Sequence, residues 1–250
     1  MRKRWYILYM NTLSEAILYA QTEQIRRRKS LMYVWGVSLL LFASSFLYEF
    51  FLVGIKPQTA LIRASSLSGV ILISAALFSS ALFKWRPRWA VHWKVRRYLG
   101  ISGFVLIFIH VTSVVQLIFG GNIGKVFYEI NPIKNPLIFG FISYIILFTL
   151  FLTSTDWAVK KLTPRHWKTI HRLVYVAYPL SIFHFALTNP AALYNPFGYL
   201  LIAMTACAVF GQLYWFVRIA SRKKFLSKGS IIGILIIISS LFIAYLAFSR

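Results

Sequence analysis

Residues 170–188 read IHRLVYVAYPLSIFHFALT, and this stretch decides the fold class. At about 1.5 Å per helical residue, its length approaches the thickness of the hydrocarbon core of a bilayer, which is about 30 Å. The stretch nevertheless contains two histidines, His171 and His184. A titratable side chain in hydrocarbon is costly and usually has a function. The stretch therefore predicts a membrane helix that carries a functional group.

The composition of the whole chain points to a bilayer as its solvent. Of its 250 residues, 59% are hydrophobic and 13% are charged, whereas soluble proteins have about 25% charged residues. The net charge is +23, but the basic residues cluster in short stretches between apolar segments. That pattern is typical of a topology signal and argues against nucleic-acid binding. The single cysteine, Cys207, excludes an internal disulfide and a cysteine-ligated iron–sulfur cluster.

The apolar segments predict an all-α integral membrane protein. Of the 28 basic residues, 23 fall before the first segment or after the second, fourth and sixth. The positive-inside rule then places the N-terminus in the cytoplasm and the C-terminus outside. Seven segments approach the length of about 20 residues that a membrane helix needs, and they lie at about 31–53, 60–83, 98–119, 137–155, 170–188, 196–217 and 230–249.

Two histidines are expected to lie at the same depth in the membrane. His110 is about 12 residues into the third segment and His184 about 14 residues into the fifth, and these segments run in the same direction. Their depths differ by about 3 Å at about 1.5 Å per residue. The pair can therefore bind one haem iron as axial ligands, from opposite faces. The alternative is a pair of neutral imidazoles that donate hydrogen bonds to a carbonyl, or to hydroxyls such as those of Thr112 or Ser181.

His171 lies about 20 Å from His184 along its helix, at the cytoplasmic edge. The equivalent depth on the third segment is held by Arg97, which could neutralise a haem propionate or a flavin phosphate. If a second haem binds there, His171 is one of its ligands; the alternative is an interfacial histidine. An ideal helix would place His171 and His184 about 140° apart. A kink or local rewinding at Pro179 would be needed to align them.

Two loops predicted on the cytoplasmic side, residues 84–93 and 164–168, combine tryptophan with basic residues. Their histidines, His92 and His166, are expected to be solvated. The loops form either an aromatic belt with topology charges or a docking surface for a flavin ring or an acidic partner. The five acidic residues are too few to suggest a proton relay. A glycine-rich dinucleotide loop after a strand is also missing from the sequence.

Several motifs resemble the ferric-reductase-like transmembrane domain. They are Arg96-Arg97-Tyr-Leu-Gly100 followed by His110, Leu152-Thr-Ser154-Thr, and Trp167-Lys-Thr-Ile-His171-Arg-Leu-Val-Tyr175 followed by His184. The pattern is most similar to the MsrQ/YedZ family, the haem-binding membrane subunits of a bacterial periplasmic protein-methionine-sulfoxide reductase. The resemblance covers residues 31–218 and predicts a six-helix haem-binding bundle there. Residues 1–30 are then a basic cytoplasmic or interfacial segment, and residues 219–250 a basic loop with an additional transmembrane helix.

The resemblance implies a multi-pass b-type cytochrome of the bacterial inner membrane. Its haem b, one or two per chain, would be bound by His110, His184 and His171. Arg97 stands where the four-histidine oxidases of the superfamily have a further histidine. Electrons would come from a cytoplasmic flavin reductase, with FMN as a candidate bound carrier. They would pass to a periplasmic molybdopterin methionine-sulfoxide reductase.

On this interpretation the chain is an electron-transfer subunit in membrane lipid rather than a self-sufficient enzyme. It has no role for nucleic acid. Two alternatives stay open. One is a stand-alone transmembrane ferric or metal reductase. The other is a haem-free membrane transporter or assembly protein that uses its buried histidines as hydrogen-bond partners.

Overall fold

A computed structural model of the chain describes residues 2–86, 88–89 and 93–222. Within these ranges it consists of helices and loops without a β-strand, so the chain is an all-α membrane protein as predicted. The α-helices of the described part are α1 (Arg2–Leu47), α2 (Pro57–Trp85), α3 (Trp93–Ser113), α4 (Leu137–Leu152), α5 (Asp156–Lys161), α6 (Pro164–His171), α7 (Val174–Thr188) and α8 (Pro196–Arg222).

Five segments of the described residues are long and apolar enough to cross a membrane, and the shorter α4 is also apolar. Together they coincide with the first six predicted segments. The predicted seventh segment, 230–249, lies outside the described residues. The cytoplasmic position of the N-terminus stays a prediction. The five segments are Gln21–Leu52, Pro57–Trp85, Trp93–Ile118, Pro164–Thr188 and Pro196–Trp215.

The sequence predicts a basic cytoplasmic or interfacial segment for residues 1–30, and in the structure residues 2–30 belong to the helix that continues into the first membrane segment. Helix α1 runs without interruption from Arg2 to Leu47 and continues into a π-helical turn, Tyr48–Leu52. Neither glycine nor proline occurs before Gly36, so nothing in the sequence breaks the helix between the two parts. A structural boundary at residue 30 is therefore absent from the described chain.

The predicted fifth segment is divided close to its first histidine. Helix α6 ends at His171 and α7 begins at Val174. Leu173 and Tyr175 close the intervening turn by donating to carbonyls three residues earlier, over 2.9 and 3.0 Å. Such bonds wind the backbone more tightly than an α-helix does. The rewinding is thus next to His171, and Pro179 lies inside α7 without ending it.

Helix α2 is the central helix and crosses α3 at very short range. A Cβ atom on Gly69 would lie 2.9 Å from the Gly103 carbonyl oxygen, and a Cβ on Gly103 would lie 2.9 Å from that of Gly69. Small residues at a crossing let two membrane helices approach backbone to backbone. This contact fixes the spacing of the two helices that form one wall of the site described below.

A chain of buried hydrogen bonds links α2, α7 and α8. The Tyr178 hydroxyl on α7 lies 2.7 Å from the Ser74 hydroxyl on α2 and 2.6 Å from the Thr205 hydroxyl on α8. Large apolar side chains cover the outer surface, as exemplified by Leu40, which is 72% exposed. Helices α2, α3, α4 and α7 thus enclose the interior of the bundle, and α1 and α8 pack against α2 from outside.

Candidate functional site

Two cavities lie one above the other among α2, α3, α4 and α7. We call the first, of about 460 Å³, the histidine-pair cavity because His110 and His184 line it. We call the second, of about 450 Å³, the basic cavity because its lining includes Lys84, Arg96 and Arg97. Both volumes fall in the range of about 300–1,000 Å³ that is typical of small-molecule and cofactor sites.

His110 and His184 come together across the histidine-pair cavity from α3 and α7. The centres of their imidazole rings are 6.3 Å apart, and the ring planes are inclined by 63°. A metal–imidazole bond is about 2.0–2.1 Å long, and a ring nitrogen lies about 1.1 Å from the ring centre. One metal atom in line between two imidazoles therefore places the ring centres about 6.2–6.4 Å apart. The observed separation fits a single shared metal.

Hydrogen bonds to the backbone orient both rings. His110 Nδ1 lies 2.9 Å from the Ile62 carbonyl oxygen, and His184 Nδ1 lies 3.1 Å from that of Pro136. A carbonyl oxygen only accepts, so each Nδ1 carries the proton and donates it. Each Nε2 then keeps its lone pair, which is the tautomer that a metal-ligating histidine needs.

The Pro136 carbonyl is available to His184 because it lies at the start of α4. Its helical hydrogen bond from the Gly140 amide is long, at 3.5 Å. The hydroxyls that the sequence suggested as histidine partners are engaged elsewhere. Thr112 donates to the Phe108 carbonyl within α3, and Ser181 lies 2.6 Å from the Ser143 hydroxyl.

Gly140 leaves room for the His184 ring to pack against α4. A Cβ atom on Gly140 would lie 2.9 Å from both Cγ and Nδ1 of His184. That distance is well below the separation of about 3.5–4.0 Å at which carbon atoms pack favourably. Only glycine therefore lets this ring lie against α4. This role could not be predicted from the sequence, because a glycine on an apolar helix has many possible packing partners.

The histidine-pair cavity is otherwise apolar except for a few hydroxyl and amide side chains and one cation. Among the described residues that line it, Arg63 is the only arginine, lysine or carboxylate. In the sequence Arg63 appears only as one of the few basic residues outside the cytoplasmic clusters. Its place at the cavity depends on the pairing of α2 with α3, which the sequence alone does not reveal.

His171 lies in the lining of the basic cavity, away from the histidine pair. Its ring stacks on Trp167, with ring centres 4.0 Å apart and planes inclined by 28°. The His171 Nε2 atom is 3.3 Å from the Thr153 hydroxyl, and Trp167 Nε1 donates to the Thr153 carbonyl. The three residues form one small packed unit. A second histidine is absent from the described lining of this cavity.

Arg97 also lines the basic cavity, and its guanidinium is already paired. Arg97 Nη1 donates to Asp156 Oδ1 over 2.5 Å, and Arg27 Nη2 donates to Asp156 Oδ2 over 2.5 Å. The hydrogen bonds from Arg27 and Arg97 lower the pKa of Asp156 to about 2. Arg97 Nε, in contrast, is buried and has no hydrogen-bond partner in the described part of the chain.

Arg96, which the sequence interpretation did not select as a site residue, lines the same cavity beside Arg97. Fourteen residues separate it from His110. At about 100° per residue this spacing brings Arg96 within about 40° of the His110 face of α3, whereas Arg97 is about 140° away. Helical periodicity was the signal that could have identified Arg96.

The remaining histidines do not join either cavity lining in the described residues. His166 is exposed, and its Nδ1 lies 2.7 Å from the hydroxyl of Thr163. His92 lies outside the described residues. The prediction that His92 is solvated is therefore untested.

Aromatic side chains separate the two cavities. The Phe104 ring, on the basic-cavity side, lies 6.0 Å from the Tyr144 ring, which lines the histidine-pair cavity. Phe104 also stacks on Phe151 at 4.7 Å between ring centres. Leu147 is the one described residue that lines both cavities. The partition between the cavities is therefore a single layer of side chains.

Comparison with known proteins gives a family match that covers part of the site, and relatives that match part of the chain. Residues 60–182 match the family model described as "Ferric reductase like transmembrane component". Over 96 residues the chain is 35% identical to the protein named "Protein-methionine-sulfoxide reductase heme-binding subunit MsrQ" in Brucella ovis, Brucella canis and Brucella suis. The alignment covers 38% of this chain and 42% of each relative, so the chain spans about two fifths of the length of these curated relatives.

The family match covers α2, α3 and α4 and most of α7, which are the four helices around the cavities. It includes His110 and His171 and ends two residues before His184. The motifs that suggested the resemblance, the membrane-spanning helices and both comparisons agree. Residues 60–182 therefore carry a ferric-reductase-like transmembrane component.

Proposed function

We propose that the chain is a b-type cytochrome that carries electrons across a membrane as a subunit of an oxidoreductase. The observation that carries the proposal is the pair His110 and His184. Their ring centres stand 6.3 Å apart, and both Nδ1 atoms are hydrogen-bonded to backbone carbonyls. The pair thus offers two Nε2 lone pairs to one metal.

The donor set favours haem over a bare metal ion. Within the described residues, histidine, cysteine and carboxylate side chains do not form a group of three that could hold a metal. A bare zinc ion needs about four ligands, or three with a water. A porphyrin would bring four nitrogens of its own, so two imidazoles would be enough to complete the coordination of its iron. The apolar lining around the pair suits the faces and edges of a porphyrin.

The bound haem would supply reversible one-electron chemistry at iron. This chain's residues would set the conditions for it. His110 and His184 would hold the iron, and the Ile62 and Pro136 carbonyls would keep the imidazoles in the ligating tautomer and increase their basicity. The apolar helices around the cavity exclude water, which keeps the local dielectric low.

We propose the basic cavity as the entry point for electrons, with FMN or a second haem as its occupant. Lys84, Arg96 and Arg97 supply positive charge for a phosphate or a propionate, and the buried Arg97 Nε lacks a partner. A Cβ on Gly100 would meet no atom within 4 Å, so the α3 backbone leaves room for a planar group. Trp167 and Tyr175 add aromatic surface to the lining.

The partners follow from the resemblance and from the names of the relatives. We propose a cytoplasmic flavin reductase as the donor and a periplasmic molybdopterin methionine-sulfoxide reductase as the acceptor. The relatives' printed name, a heme-binding subunit of a protein-methionine-sulfoxide reductase, supports the acceptor. The basic residues predicted on the cytoplasmic side support a bacterial inner-membrane protein whose basic cavity faces the cytoplasm.

The primary test is the absorption spectrum of the purified chain before and after dithionite. Wild type is expected to show a reducible b-type band, and His110→Ala and His184→Ala are each expected to lose it. His166→Ala is the matched control because His166 is an exposed histidine, and it should keep the band. Persistence of the band in both cavity variants would refute the ligand pair. A wild-type protein without haem would instead favour the haem-free transporter or assembly function.

The occupant of the basic cavity is tested by cofactor stoichiometry. Pyridine haemochrome with protein quantitation distinguishes one haem from two, and acid extraction measures FMN. If His171 binds a second haem, His171→Ala lowers the haem content from two to one per chain. If FMN binds there, the haem content of His171→Ala stays at one. A wild-type chain with one haem and no FMN would contradict both assignments.

A further inference from the structure

The loop that joins α3 to α4, residues 119–136, exposes large hydrophobic side chains. Ile130 is 84% exposed and Ile133 is 78% exposed, which is more than Leu40 on the outer surface of α1. The membrane segment before the loop ends at Ile118, which is also exposed, so the apolar surface of that segment is followed directly by that of the loop. Further exposed hydrophobic side chains of the loop are those of Ile123, Phe127 and Tyr128.

Helix α4, which follows the loop, is too short to cross the hydrocarbon core alone. Its 16 residues, Leu137–Leu152, span about 24 Å at about 1.5 Å per residue, whereas the core is about 30 Å thick. Beyond the far end of α4, Asp156 forms ion pairs with Arg27 and Arg97. Such charges are costly in hydrocarbon, so that end lies at the polar surface. The missing length of about 6 Å therefore falls at the Leu137 end, where the loop lies.

The loop backbone finds many of its hydrogen-bond partners within the loop. Asn135 is completely buried, and its Nδ2 donates to the carbonyl oxygens of Val126 and Glu129, each over 2.8 Å. Three amides are bonded by the side-chain oxygen of the residue two positions earlier, and they belong to Gly124, Asn131 and Ile133. Lipid offers no partners to a backbone, so a segment in contact with it needs internal bonds of this kind.

We propose that the α3–α4 loop is an interfacial membrane anchor, whose Ile130 and Ile133 side chains insert into the boundary between the acyl chains and headgroups of the adjacent phospholipid leaflet. Interfacial segments bury their apolar face about 5–10 Å into this boundary. That depth matches the length that α4 leaves uncovered. Lys125 and Lys134, both exposed, supply cations to the lipid phosphates on either side of the isoleucines.

The same loop forms part of the wall of the histidine-pair cavity. Val126 is 8% exposed and lines that cavity, as does Phe119. Phe127 packs edge-on against Phe141 of α4, which also lines the cavity, with ring centres 5.0 Å apart. The loop thus connects the cavity wall to the lipid surface, and its insertion holds this part of the wall in place whatever the cavity binds.

The closing experiment measures the depth of spin labels on the full-length protein in vesicles of phosphatidylcholine and phosphatidylglycerol. The one native cysteine, Cys207, is first replaced by alanine. Ile130→Cys and Ile133→Cys are then labelled separately. Power-saturation electron paramagnetic resonance compares collisions of each label with oxygen, which concentrates in lipid, and with a water-soluble nickel chelate. Both labels are expected to show high access to oxygen and a loss of access to the nickel chelate.

Two further labelled positions are the matched references. Lys56→Cys is the aqueous reference because Lys56 is an exposed basic residue just before α2, and Ile145→Cys is the lipid reference because Ile145 is an exposed apolar residue on α4. Labels at Ile130 and Ile133 should resemble the Ile145 label more than the Lys56 label. If both loop labels collide with the nickel chelate as often as the Lys56 label does, the loop is solvated, the proposal is wrong, and the isoleucines are left as a surface for a protein partner.

Discussion

Replacing Gly140 with alanine should disturb the proposed haem site while leaving the two proposed ligands, His110 and His184, unchanged. The new methyl group would lie 2.9 Å from Cγ and Nδ1 of His184. Favourable carbon contacts begin at about 3.5 Å, so the ring must move by at least about 0.6 Å. The ring has little freedom to do so, because Nδ1 is bonded to the Pro136 carbonyl at 3.1 Å and the His110 ring centre lies 6.3 Å away.

The expected cost of Gly140→Ala has two parts. Overpacking of a core costs about 1–3 kcal/mol. Loss of an outer hydrogen bond to a metal-ligating histidine typically reduces metal affinity by about 10- to 100-fold. We therefore expect a haem affinity lower by about one to two orders of magnitude, measured by absorption titration of the apoprotein. Thermal unfolding in detergent reports the overpacking separately.

Gly36→Ala is the control for Gly140→Ala. Gly36 lies within α1, and a Cβ there would meet no atom within 4 Å. Alanine at this position should leave the haem affinity unchanged and should not lower the unfolding temperature, because alanine is a better helix former than glycine. Full haem affinity and an unshifted spectrum in Gly140→Ala would refute the placement of the His184 ring against α4.

Three further predictions concern other contacts. Arg27 and Arg97 lower the folded-state pKa of Asp156 from 3.8 to about 2, so the carboxylate stabilises the fold above about pH 4 and loses this effect as the pH falls towards 2. Thermal unfolding of Asp156→Asn should therefore lack this part of the pH dependence. Equal pH profiles of the unfolding temperature in wild type and Asp156→Asn would contradict the prediction. Tyr178→Phe removes one hydroxyl from a buried chain and should destabilise the protein by about 0.6 kcal/mol, up to about 1.7, as measured by denaturant or thermal unfolding with the exposed Tyr199→Phe as control. Gly103→Leu should prevent stable folding, because its Cβ alone would lie 2.9 Å from an α2 carbonyl oxygen; a monodisperse, haem-loaded Gly103→Leu protein would show that α2 and α3 are further apart.

The sequence predicts the membrane segments well because hydrocarbon imposes a strong requirement on length and apolarity. The same requirement makes buried histidines conspicuous, and counting residues from segment ends places His110 and His184 at one depth. The local geometry around them was not predictable in this way. The contact with Gly140 and the place of Arg63 at the cavity depend on which helices are neighbours, and residue spacing within one helix does not contain that information.

Two differences between expectation and structure have simple physical reasons. Pro179 was the obvious candidate for a break in the fifth segment, but the tighter turn follows His171 directly, where polar residues give way to the apolar part of the segment. Arg97 was selected for its depth in the third segment and for its place in the family pattern. In the structure it pairs with Asp156, the first residue of α5, a contact that α-helical spacing cannot anticipate.

The hydrogen bonds between the histidine pair and backbone carbonyls bear on how a bound cofactor would affect the stability of the protein in the cell. His110 and His184 face each other from α3 and α7, and their hydrogen bonds to Ile62 and Pro136 also engage α2 and the start of α4. A ligand bound only by the folded chain at 1,000 times its Kd adds about 4.1 kcal/mol to the free energy of unfolding. With haem as that ligand, its supply would influence the amount of folded protein, since chains made without haem would open more often and be degraded sooner.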